Sequence, residues 1–87
     1  MKIFYTEKAE KQLKRIVKGN RSAASMIINA VESYALNPDG LFDIKLLKGK
    51  YGDFMRLRVG QYGVIFDNEE NVMHIYEIKH RQRTYHD

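Results

Sequence analysis

Apolar residues follow two different rhythms along the 87-residue chain, and its one proline separates them. The breaker is Asn37-Pro38-Asp39-Gly40. Before it the spacing is mostly helical. Met1 to Tyr5 reads as a short strand, and Thr6 suits the cap of a helix, with Glu7 near the positive end of its dipole. Ala9, Leu13, Ile16 and Val17 recur at helical spacing, and Gly19 supplies a stop. Lys8, Lys11, Lys14, Arg15 and Lys18 decorate the rest of that helix, as cations commonly do on a solvated side. Asn20 or Ser22 caps a second helix whose apolar stripe is Ala24, Ile27, Ile28, Val31, Tyr34 and Ala35. The link between the two is short, which predicts an antiparallel helical hairpin.

Beyond Gly40 the rhythm becomes strand-like. Ile44 to Leu47 precedes a turn-like Lys48-Gly49-Lys50-Tyr51-Gly52-Asp53. Phe54 to Val59 then alternates, with Met55, Leu57 and Val59 on one side and Phe54, Arg56 and Arg58 on the other. Gly60-Gln61 is a glycine-first hairpin connection. Tyr62, Val64 and Phe66 share a face opposite Gly63 and Ile65. Asp67 to Asn71 reads as a turn. In the last strand, Val72 to Ile78, the parity stays open: Val72, Tyr76 and Ile78 compete with Met73 and Ile75 for the core. The expected architecture is α+β in the order β-α-α-β-β-β. A helical hairpin packs on one face of a mainly antiparallel four-stranded sheet. At this length a single domain over residues 1–87 is expected. The second sheet face stays open and carries the arginines.

Charge sharpens this picture. The formal net charge is +4 and the pI about 9.4, a weak pointer to an acidic partner. Its distribution says more. Residues 44–66 hold five Lys/Arg against Asp53 alone, residues 67–77 hold four acids and no Lys/Arg, and residues 78–87 return to three Lys/Arg against Asp87. Folding can join the two basic regions and send the acidic stretch to the far end. There is no cysteine, so disulfides and thiolate metal sites are excluded, and a cytoplasmic location fits. No apolar run reaches membrane-span length, and the first residues lack the apolar stretch of a signal peptide. His74, His80 and His86 show no recognised ligand spacing, so neither a metal nor a cofactor is expected. Ser22, Ser25 and Ser33 lie on the second helix without a nucleophile-elbow motif.

The candidate chemistry concentrates in Ile78-Lys79-His80-Arg81-Gln82-Arg83-Thr84-Tyr85-His86, which gathers three cations, two imidazoles and a phenol. Arg56 and Arg58 are ~6.5–7 Å apart on one strand face. A solvated outer face is the commoner reading of such a pair. Phe54 beside them adds the aromatic component of surfaces that stack bases and neutralise phosphates.

Three segments resemble the RelE/ParE superfamily of bacterial toxins: Lys45-Leu46-Leu47-Lys48-Gly49, the run from Met55 to Phe66, and His80-Arg81-Gln82-Arg83-Thr84-Tyr85. The resemblance covers nearly the whole chain and is specific over residues 45–85. It implies a type II toxin–antitoxin module with a cognate antitoxin as partner. In its RelE-like branch it implies cleavage of mRNA in the A site of the 70S ribosome, without metal, because the RNA 2′-hydroxyl is the nucleophile. The short chain, basic sheet face and Arg/Tyr tail favour that branch. By position, Arg56 and Arg58 match strand residues that grip mRNA, and Lys48 a basic residue before that strand. Arg81 matches the arginine that stabilises the charged phosphorane, and Tyr85 a C-terminal tyrosine near the scissile nucleotide. His86 joins Tyr85 as a candidate for proton transfer, while Arg83, His80 and Phe54 complete the expected RNA contacts. One departure stands out: Gly63 occupies the place where the family has arginine. The expectation is a weakened or inactivated enzyme whose toxicity rises on restoring arginine. A ParE-like inhibitor of DNA gyrase, or a non-catalytic domain binding RNA or antitoxin, are the alternatives.

Overall fold

A computed structural model describes residues 1–49 and 52–81. The chain runs β1 (Lys2–Tyr5), α1 (Glu7–Gly19), α2 (Arg21–Leu36), β2 (Ile44–Gly49), β3 (Gly52–Val59), β4 (Tyr62–Glu69) and β5 (Val72–His80). The helix starts are those expected. Thr6 Oγ1 accepts from the Ala9 N–H at 3.2 Å, and Asn20 Oδ1 accepts from the Ala23 N–H at 3.1 Å. Of the two residues considered for the second cap, Asn20 holds it. The Pro38 turn ends the helical half, with the Gly40 N–H bonded to the Asn37 carbonyl at 3.0 Å.

The sheet has five strands rather than four, in the order β1-β5-β4-β3-β2, and it is mixed: β1 pairs parallel to β5, and all other pairs are antiparallel. The fifth member is β2, in continuous register with β3 from Ile44↔Leu57 to Gly49↔Gly52. The short Ile44–Leu47 run understated it.

The open parity of β5 is resolved by a bulge. Val64 pairs with Ile78 and Ile65 with Glu77, but Phe66 pairs with Ile75, so Tyr76 is an extra residue. The phase change lets Met73, Ile75 and Ile78 all enter the core, each 4% exposed or less. The bulge also lies where β1 ends and the β5 edge would be bare. There the Thr6 N–H donates to the Ile75 carbonyl, the Thr6 hydroxyl donates to the Tyr76 carbonyl, and the Ile78 N–H donates to Gln12 Oε1 at 2.7 Å. The start of α1 therefore satisfies the edge that β1 leaves uncovered.

Two turns set the remaining registers. Gly60 has φ +59° and opens the β3–β4 hairpin as expected. The β4–β5 connection is tighter than the expected five-residue turn. β4 continues to Glu69, and only Glu70 and Asn71 turn, both at positive φ (53° and 63°). For Glu70 that conformation carries a steric cost of about 1–2 kcal/mol.

The core lies between the helices and one sheet face: Ala9, Ile27, Val31 and Tyr34 against Leu57, Val59, Val64, Phe66, Met73, Ile75 and Ile78. Tyr34 packs edge-on against Phe66 and Phe42, and its hydroxyl accepts from Asn68 Nδ2 at 2.8 Å. Val17, expected in the α1 stripe, is exposed instead. Among the described residues no helix is long and apolar enough to cross a membrane.

Candidate functional site

In a paired sheet, residues directly opposite one another point to the same side. The register therefore maps the face away from the helices. It carries Lys45 and Leu47 on β2, Phe54, Arg56 and Arg58 on β3, and Gly63, Ile65 and Asp67 on β4. On β5 it carries His74, Tyr76, Glu77 and Lys79, and on β1 Phe4. The expected alternation of β3 and β4 holds along both strands.

One end of this face is cationic. Gly63 pairs with Arg58 on one side and with Lys79 on the other. Arg81 follows one residue beyond β5, its backbone N–H bonded to the Gln61 carbonyl at 2.6 Å and its side chain exposed. Arg58 is half-buried, and among the described residues no carboxylate pairs with Arg58 or Arg81. Lys79 Nζ lies 3.7 Å from one oxygen of Glu77, whose other oxygen is 3.1 Å from Lys8 Nζ.

The opposite end is aromatic and acidic. Phe4 meets His74 edge-on at 6.0 Å, His74 stacks along Tyr76 at 6.3 Å, and Phe54 meets Tyr76 edge-on at 5.3 Å. Tyr76 donates its hydroxyl to Asp67, with oxygens at 3.0 and 3.1 Å, and His74 Nδ1 lies 3.5 Å from the same carboxylate. Burial, then the Asp67 hydrogen bond and the nearby negative charge, push the Tyr76 phenol above its ordinary value of 10.0.

Three expected contacts are displaced. Arg56 is on the expected face but only 4% exposed, with a guanidinium nitrogen 3.5 Å from Asp43 Oδ1. It sits mid-sheet between Lys45 and Ile65, where neighbours cover its stem, so it is not an exposed gripping cation. Lys48 pairs with Asp53, on the side of Met55 and Leu57, because the β2–β3 register gives it the wrong parity for the open face. His80 pairs with Tyr62 and meets its ring edge-on at 5.0 Å. It shares the helix side with Ile78 and lines a cavity of about 270 Å³ with Ala23, Met26 and Val59. Phe54 is on the expected face but packs on Tyr76. Arg83, Tyr85 and His86 lie outside the described residues.

Sequence reasoning missed Lys79 and Lys45 as members of the open face. The signal for Lys45 was available, since it alternates with Ile44 and Leu46. That for Lys79 was hidden by the bulge.

The family model described as the ParE toxin of the type II toxin–antitoxin system, parDE, matches residues 3–85. The chain belongs to this family. It is thus a toxin of a type II toxin–antitoxin system, within the RelE/ParE superfamily. No curated protein matches it. Among solved structures, the toxin is similar to the YoeB dimer from Staphylococcus aureus, with TM-score 0.78 and 17% identity over 100% of this chain and 98% of that one. It is similar to RelE in the RelE–RelB complex from Pyrococcus horikoshii OT3, with TM-score 0.74 and 22% identity over 95% and 97%. A third similar structure is the RelB–RelE antitoxin–toxin complex from Methanococcus jannaschii, with TM-score 0.66 and 25% identity over 91% of each chain. Two of these three structures are RelE–RelB complexes, which supports an antitoxin as partner of this toxin.

Proposed function

We propose that this toxin is a cytoplasmic endoribonuclease that cleaves mRNA on the 70S ribosome and is held inactive by its antitoxin. The observation that carries the reading is the cationic end of the open face, where Arg58 and Lys79 flank Gly63 and the exposed Arg81 follows one residue beyond β5. In the reaction the RNA 2′-oxygen loses its proton and bonds to the adjacent phosphorus. The P–O5′ bond breaks, and the leaving 5′-oxygen takes up a proton. The products are a 2′,3′-cyclic phosphate and a 5′-hydroxyl. The protein has to hold the three reacting atoms in line and stabilise the extra negative charge of the phosphorane. Arg58 and Arg81 have the charge and position for the second task. The family resemblance supplies Tyr85 and His86 as candidates for proton transfer or base stacking. Arg83 is a further phosphate contact on the same basis. Arg56, turned to Asp43, supports the strand that presents Arg58.

Primer extension on ribosome-bound mRNA is the test. The expected result is discrete cuts with 2′,3′-cyclic phosphate ends, reduced about 10²–10³-fold by Arg58→Ala, the range for a lost charge-stabilising donor. A second reading, inhibition of DNA gyrase, is favoured by the match to the ParE model. Intact mRNA together with inhibited supercoiling would establish it instead.

A further inference from the structure

The arginine that the family places on β4 is absent at Gly63, yet the sheet does not lack a cation there. Gly63 and Lys79 are direct partners across β4 and β5, and Arg58 is the direct partner of Gly63 from β3. Adjacent strands are about 4.8 Å apart. Gly63 has no side chain, so only buried backbone lies between two strand neighbours that each carry a cation, a notch in the row of side chains. We propose that Lys79 supplies from β5 the phosphate-stabilising charge that position 63 lacks, and that the scissile phosphate sits in the notch over Gly63. The inference rests on the endonuclease reading and deepens it.

Three observations support this placement. The bulge at Tyr76 turns Lys79 to the open face, in phase with Gly63 and Arg58. The Lys79 side chain is 27% exposed, so it lies along the sheet instead of extending into solvent. Its contact with Glu77 is long at 3.7 Å, and Glu77 keeps a closer partner in Lys8 at 3.1 Å. An arriving phosphate can therefore draw Lys79 away without leaving Glu77 unpaired. Lysine suits such a site, since its ammonium is a compact charge on a flexible stem that can follow the phosphate as charge develops.

The expectation that restored arginine raises toxicity then applies only to a chain deprived of Lys79. Cleavage of ribosome-bound mRNA is compared for the unaltered toxin, Lys79→Gln, Lys79→Arg and Lys79→Gln/Gly63→Arg, with sedimentation as a check of ribosome binding. The expected result is a 10–10³-fold slower cut for Lys79→Gln with ribosome binding retained. Lys79→Arg stays near the unaltered rate, and adding Gly63→Arg to Lys79→Gln recovers at least tenfold. A Lys79→Gln rate within twofold of the unaltered toxin, or no recovery in the double variant, overturns the inference and leaves the endonuclease reading intact. If the unaltered toxin makes no cut, that reading falls, and the notch is decided by titrating a nucleoside 3′-monophosphate under NMR. A Gly63 amide shift that disappears in Lys79→Gln upholds the anion seat. Equal shifts in both proteins, or none, overturn it.

Discussion

The two ends of the open sheet face share strands but differ in how their polar groups are used. At the aromatic end, Tyr76 is bonded to Asp67, His74 lies against both, and Phe4 and Phe54 close the row. Tyr76 and Asp67 are partnered within the fold, while His74 Nδ1 is buried 3.5 Å from Asp67 without a hydrogen bond among the described residues. At the cationic end, Arg58 and Arg81 have no carboxylate partner among the described residues, and Lys79 has one distant one. A region whose polar groups bond one another contributes to stability. A region of like charges held close together gains by receiving an anion. Arg56 marks the border: it lies two residues from Arg58 on the same strand face and is buried on Asp43.

Substitutions should separate the two ends. The largest effect is expected from Arg58→Ala, which should cut mRNA cleavage about 10²–10³-fold and leave the melting temperature nearly unchanged. A matched Arg56→Ala should do the reverse, lowering unfolding free energy by about 2 kcal/mol through lost stem packing and a stranded Asp43 interaction. If both variants lose stability and neither loses cleavage selectively, the division fails at its border. Next in size, Tyr76→Ala should cost about 1–2 kcal/mol in a urea titration, with cleavage per folded molecule altered less than about threefold. A selective loss of cleavage would mean that the aromatic end touches RNA.

Smaller effects test the frame that holds the ends apart. Glu70→Asn relieves a left-handed residue in the β4–β5 turn and should stabilise by about 0.5–1 kcal/mol, without a change in cleavage. The smallest is a pH effect. Because the folded state raises the Tyr76 phenol, its contribution is intact below pH 10 and is lost as pH rises through the folded value. Stability measured from pH 9 upwards should therefore fall less steeply in Tyr76→Phe than in the unaltered toxin.

Much of this was legible in the chain. The helix caps at Thr6 and Asn20, the α2 stripe and the alternation of β3 and β4 follow from local rules, and the structure keeps them. What was not legible depends on registers between distant segments. The side taken by Lys48 is fixed by its pairing with Asp53, and the burial of Arg56 depends on Asp43, thirteen residues earlier in an aperiodic loop. Val17 lies at helical spacing from Leu13 but at the margin of the stripe, where periodicity does not decide exposure. Of the candidate site residues, the alternation put Arg58 on the open face, where the register has it. Sequence reasoning assigned His80 by nearness along the chain, which β5 reverses, since neighbours along a strand point to opposite sides.

The bulge at Tyr76 has a consequence beyond packing. Downstream of it, every residue of β5 has exchanged sides relative to the same sequence in an uninterrupted strand, so the side taken by Lys79 is set by the bulge and not by its own identity. Pairing the same strand without the bulge, at unchanged length, would send Lys79 toward the helices and Ile78 to the open face, with no cation removed from the protein. Removing the extra residue itself would instead restore a regular strand and keep Lys79 beside Gly63, so the bulge and the residue it accommodates have to be altered separately to move that cation.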